Sequence, residues 1–141
     1  MAKRLLVLVM AATVSLMGVV VVADTMEQSG CSWEQESNND VTVADSLDSG
    51  CRQGSISPVG DADWYYFNVS GTGSIHIETT TSGDTEIYLY NSSLSLLASD
   101  DDSGVGYGSL IVRSLGPGTY FVQVVEHGYD STVSAYELRV R

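Results

Sequence analysis

The sequence predicts an all-β fold: an antiparallel sandwich or barrel of about eight strands. Two observations predict it. From Arg52 onward, apolar and polar residues alternate with period two, and glycine-, serine- or proline-containing turns recur roughly every 8–12 residues. No stretch beyond residue 50 carries a helical period, and the connections are too short for the crossovers that a parallel sheet needs.

The elements follow in order. Residues 1–23 read as a secretory signal peptide: Lys3 and Arg4, then an apolar run from Leu5 to Val22 and the small residue Ala23 before Asp24. The rival is a retained membrane anchor, because the apolar run is nearly long enough to span a bilayer. Residues 24–40 form a polar, acidic leader with no strand or helix period, and residues 41–141 form the sandwich domain. Within it the expected strands are Gln53 to Ser57, Trp64 to Val69, Ser74 to Thr80, Glu86 to Tyr90, Leu94 to Ala98, Ser109 to Leu115, Thr119 to Glu126 and Val133 to Val140. On the aromatic strand, Tyr65, Phe67 and Val69 share one face and Trp64, Tyr66 and Asn68 the other, so one set belongs to the core.

Charge narrows the partners. Without residues 1–23 the chain keeps four arginines, no lysine and all 18 carboxylates, a net charge of −14. A basic patch for nucleic acid or anionic lipid is absent, so neither is an expected partner once the signal is removed. The two cysteines, Cys31 and Cys51, suggest a disulfide in an exported protein. A lipid-attached Cys31 is the alternative.

No catalytic set emerges. His76 lies mid-strand on a polar face and His127 in a turn, and no nucleophile elbow, zinc-protease helix or phosphate loop is present. A non-enzymatic chain is therefore expected. The run Asp100-Asp101-Asp102 reads as a hairpin turn, with a second cation site as an open alternative. The carboxylate-rich segments are more suggestive. Glu34, Glu36, Asn38 and Asn39 offer several hard oxygens from one segment, and Asp61 and Asp63 offer two from another. Calcium takes six to eight such oxygens. Alternate spacing in extended backbone turns every second side chain the same way. Two unrelated polar segments at the start of a strand are the other reading.

The chain also resembles the bacterial pre-peptidase C-terminal domain family. The resemblance rests on Glu36-Ser37-Asn38-Asn39-Asp40, Gly54-Ser55-Ile56, Asp61-Ala62-Asp63-Trp64-Tyr65-Tyr66-Phe67, Ile87-Tyr88-Leu89-Tyr90-Asn91, Leu97-Ala98-Ser99-Asp100-Asp101, Leu115-Gly116-Pro117-Gly118-Thr119-Tyr120-Phe121-Val122 and Ala135-Tyr136-Glu137-Leu138. It implies a jelly-roll-like sandwich that accompanies a secreted peptidase and is similar in fold to the collagen-binding domains of clostridial collagenases. It further implies calcium held between the acidic leader and the turn before the aromatic strand, on Glu34, Glu36, Asn38, Asn39, Asp61 and Asp63. Ser57 lies near where a hydroxyl ligand would fall. No motif matches the collagen-contacting tyrosines of those domains, and the cysteine pair is not part of the family pattern. No peptidase segment is read in this sequence. The expectation is thus a secreted or periplasmic, calcium-stabilised binding module for an extracellular protein or polysaccharide. The alternative is a structural surface protein, or a folding or secretion partner supplied in trans to a secreted peptidase.

Overall fold

The computed structural model describes residues 30–141, so the signal sequence read over residues 1–23 lies outside the described residues. Ten strands form two five-stranded sheets. They are β1 (Ser32–Trp33), β2 (Asp45–Ser46), β3 (Cys51–Ile56), β4 (Ala62–Val69), β5 (Gly73–Thr81), β6 (Thr85–Asn91), β7 (Leu96–Asp100), β8 (Leu110–Leu115), β9 (Gly118–Glu126) and β10 (Val133–Val140). One sheet runs β1-β3-β10-β5-β8 and the other β2-β4-β9-β6-β7. Among the described residues one 3₁₀ turn, Val41–Val43, is capped by the Asp40 carboxylate, which accepts from the Thr42 amide.

Eight of these strands are those read from the alternation. The two extra ones, β1 and β2, have only two residues each, too few to show a period. They also depart from the antiparallel expectation, since β1 pairs with β3 and β2 with β4 in parallel. The chain manages this by changing sheets. From β1 it visits the opposite sheet as β2 before returning as β3, and from β2 it visits the other sheet as β3 before returning as β4. Each parallel pair thereby gets the long crossover it requires.

The boundaries shift most at β7, expected from Leu94 but beginning at Leu96. The Asn91 side chain accepts from the amides of Ser93 and Ser95, which keeps those residues in the turn. Leu94 there takes a φ of 59°. Between β3 and β4 the chain turns at Gly60, whose φ of +85° suits a residue without Cβ.

The core lies between the sheets. From the β4 sheet, Tyr65, Phe67, Ile87, Leu89, Val122 and Val124 point inward. They meet Ile56, Ile77, Ile111, Val133 and Leu138 from the opposite sheet. Tyr65 and Phe67 are therefore the core face of the aromatic strand. Trp64, Tyr66 and Asn68 face outward. Two arginines bridge the sides of the sandwich: Arg52 on β3 donates to the Ser46 carbonyl on β2, and Arg113 on β8 donates to the Leu97 carbonyl on β7. Cys31 and Cys51 form a disulfide, joining the residue before β1 to the first residue of β3. A loop of that size stabilises by about 3 kcal/mol in the chain-entropy picture.

Candidate metal centre

The leader does not hang free. The Glu34 amide donates to the Gln53 carbonyl (2.8 Å) and the Trp64 amide to the Asn38 carbonyl (2.9 Å). The Gln35 amide donates to Asp45 (2.6 Å). These bonds lay residues 34–38 across one end of the sandwich, between β3 and β4, and turn their alternate side chains toward the start of β4.

Carboxylate oxygens of Glu34, Glu36 and Asp63 come within 4.8 Å of one another. Asp63 is fully buried and Asn38 likewise, while Glu36 is exposed. The amide oxygen of Asn38 faces Glu36 at 3.3 Å and Asp63 at 3.2 Å, acceptor against acceptor. Turned over, the amide would donate to both. Three carboxylates thus meet at one point, with the Asn38 amide packed against two of them. The remaining two candidates sit beside that point rather than on it. Asn39 donates to Asp61 (2.7 Å), and Asp61 also accepts from the amides of Ser57 (3.0 Å) and Ala62 (3.0 Å). Asp61 therefore closes the β3–β4 turn. Ser57 contributes its backbone amide to that turn.

Sequence reasoning missed the groups that hold the carboxylates from behind. The Tyr65 hydroxyl donates to Glu34 (2.8 Å), and the Tyr136 hydroxyl, with one proton to give, lies within hydrogen-bond distance of both Tyr65 and Asp63. The Ser55 amide also donates to Glu34 (2.8 Å). Gly54 makes room for this: a Cβ there would lie 2.5 Å from the Tyr136 ring and 2.7 Å from Glu34. The signals were in the sequence as Gly54 and Tyr136, but nothing in period or spacing links them to residue 34.

Burial dominates the electrostatics. It pushes the Asp63 carboxyl up to about 9; the Tyr136 hydrogen bond opposes this and the neighbouring Glu34 charge adds to it. Glu36 is also raised, first by burial, against the opposing bond from the Asn38 amide, with Asp61 and Glu34 adding repulsion. Burial, then the Asp63 and Glu34 charges, raise the Tyr65 hydroxyl. Tyr136 is raised for the same leading reason. The cluster thus gathers more negative charge than its surroundings solvate. The donor set is all oxygen, mixing carboxylates and a carboxamide, and a hard divalent cation fits it.

The second acidic region is organised differently. Asp100 ends β7 and accepts from the amides of Ser103 and Leu110. Asp101 and Glu86 flank His127, at 3.6 and 3.1 Å. Glu126, also buried, accepts from the amides of Asp130 and Ser131. These carboxylates close loops.

The comparisons with known proteins agree with the frame. Residues 61–126 match the family model of the bacterial pre-peptidase C-terminal domain. That segment is similar to a domain of this family and spans just under half of the chain. The matched segment contains Asp61 and Asp63, whereas Glu34 to Asn39 precede it. The fold is similar to the crystal structure of the pre-peptidase C-terminal domain of collagenase from Bacillus anthracis, with 21% identity, 70% of this chain and 94% of that one covered, and a TM-score of 0.59. Periplasmic PliG of Aeromonas hydrophila, an inhibitor of g-type lysozyme, is more distant, at 13% identity, 79% and 96% coverage and a TM-score of 0.49. The Yersinia pseudotuberculosis-derived mitogen follows at 12% identity, 64% and 81% coverage and 0.47. At these identities the likeness is one of fold. No curated protein matches the sequence.

Proposed function

We propose that this chain is a secreted or periplasmic, non-catalytic binding module, stabilised by calcium, that attaches to an extracellular protein or polysaccharide. One observation carries the calcium part: Glu34, Glu36 and Asp63 converge within 4.8 Å, with the buried Asn38 amide beside them. Calcium accepts a flexible set of six to eight oxygens, whereas magnesium demands near-ideal octahedral geometry and keeps its waters. A leader that supplies three of four side chains fits the more permissive ion. Bound there, the ion supplies the positive charge that offsets carboxylate repulsion. Glu34, Glu36 and Asn38 would hold it from the leader and Asp63 from β4, with Asn39 and Asp61 bracing the turn. The Cys31–Cys51 disulfide supports an oxidising compartment. The match of residues 61–126 to the pre-peptidase C-terminal family model supports the non-catalytic part.

Thermal melting in excess calcium and in chelator tests the ion. A ligand that binds only the folded state stabilises it by about 2.7 kcal/mol at a hundredfold excess over Kd. A higher Tm in calcium is expected, and equal values overturn the calcium assignment. Retention on insoluble collagen, chitin, cellulose or cell-wall material tests attachment.

A further inference from the structure

The two outer faces of the sandwich differ in chemistry. On the β3-β10-β5 face, Arg139 pairs with Glu137 and Arg141 with Glu78, an ionic surface. On the other sheet, the register sets Trp64, Gln123 and Tyr88 side by side in one row and Tyr66, Phe121 and Tyr90 in the next. These side chains point away from the core, since their neighbours along each strand fill it. Trp64 and Tyr90 pack with ring centroids 5.3 Å apart and planes tilted by 32°. Tyr129, 48% exposed in the turn after β9, lies at the margin. The solvated face of an antiparallel sheet is ordinarily polar. An aromatic patch across three strands is the composition of an interface core.

Charge indicates what covers it. The four arginines of the described residues are engaged elsewhere: Arg52 and Arg113 on edge carbonyls, Arg139 and Arg141 on the opposite face. Carboxylates stand at both ends of the aromatic patch. Glu86 and Asp101 hold His127 between them at one end, and Asp48 accepts from Asn68 at the other. We propose that this face docks a basic polypeptide surface, whose arginine or lysine groups stack on Trp64, Tyr88 and Tyr90 and whose flanking cations meet Glu86 and Asp48. The inference rests on the reading of the chain as a binding module and names its partner class. Cations are drawn to aromatic faces within about 6 Å of the centroid. Trp, Tyr and Arg dominate interface energetics, and complementary charge speeds encounter.

The test is retention of the protein on immobilised poly-L-arginine at physiological ionic strength, beside cellulose and chitin. The wild type is expected to bind poly-L-arginine. Trp64→Ala should weaken binding about tenfold, as loss of an interface anchor does. Because Trp64 is half-buried, Glu86→Gln and Tyr129→Ser supply variants nearer the rim, and both should weaken binding more than Glu78→Gln, which removes one charge from the opposite face. Equal losses for Glu86→Gln and Glu78→Gln, with none for Trp64→Ala, overturn the proposal in favour of diffuse charge. Retention on cellulose or chitin but not on poly-L-arginine overturns it and leaves the binding-module reading standing. Retention on none of the three overturns it, and the binding-module reading is then decided on collagen and cell-wall material.

Discussion

The Tyr65 hydroxyl donates to the Glu34 carboxylate at 2.8 Å, across 31 residues of sequence. Through this bond the buried aromatic strand reaches the acidic leader, so core packing and the candidate metal centre share a residue. Tyr65→Phe keeps the ring and removes the donor. The expected loss is about 1–3 kcal/mol, the cost of leaving a partly buried carboxylate without its partner. Denaturant unfolding in chelator measures it; an unchanged midpoint would show that the bond contributes nothing.

Asp63 should matter to stability with the ion and little without it. It is fully buried beside Glu34 and Glu36. Burial pushes its carboxyl up to about 9, so at neutral pH without the ion Asp63→Asn exchanges one neutral group for another, and in chelator the variant should melt close to the wild-type temperature. In excess calcium it should lose most of the wild-type gain. Asp101→Ala, in the other acidic region, should keep that gain. Calorimetry of the three proteins in both conditions decides the point.

Gly54 is sterically fixed. A methyl at this position meets Tyr136 and Glu34 inside van der Waals contact. Gly54→Ala should destabilise by about 1–3 kcal/mol, as overpacking does, and should weaken calcium binding because Glu34 must move. A substitution with wild-type melting and wild-type calcium titration would contradict this geometry.

His127 supplies a pH signature. Its hydrogen bond to Glu86 raises the imidazole above its usual 6.5, against the opposing effect of desolvation. A raised folded value means that the pair stabilises fully below pH 6.5, and that this contribution fades as pH rises through the folded value. NMR titration of the ring should find a midpoint above 6.5, and Glu86→Gln should lower it. A midpoint unmoved by that substitution would remove Glu86 as the cause.

The frame was legible in the sequence because sandwich strands advertise themselves by period two. Tyr65 and Phe67 fell on one face and Trp64 and Tyr66 on the other, and the structure buries the first pair. β1 and β2 escaped because two residues cannot show a period, and their parallel pairing depends on a chain path that alternation does not encode. At the site, Glu34, Glu36, Asn38 and Asp63 were legible as oxygen donors at alternate positions, and the structure brings them together. Asp61 and Asn39 have the same chemistry but bond to each other and to turn amides. Only the fold could separate these two groups. Tyr136 was invisible for a different reason: its bond to Asp63 spans 73 residues.

The Cys31–Cys51 bridge encloses the 3₁₀ turn and β2, where Val43 is 52% exposed. A protease cut there would leave two pieces still joined through sulfur. Glu34, Glu36 and Asn38 would stay tethered beside Asp63, so a nicked molecule would retain its whole oxygen set. Single-site cleavage of this segment therefore changes the pattern on a reducing gel without detaching the leader from the sandwich.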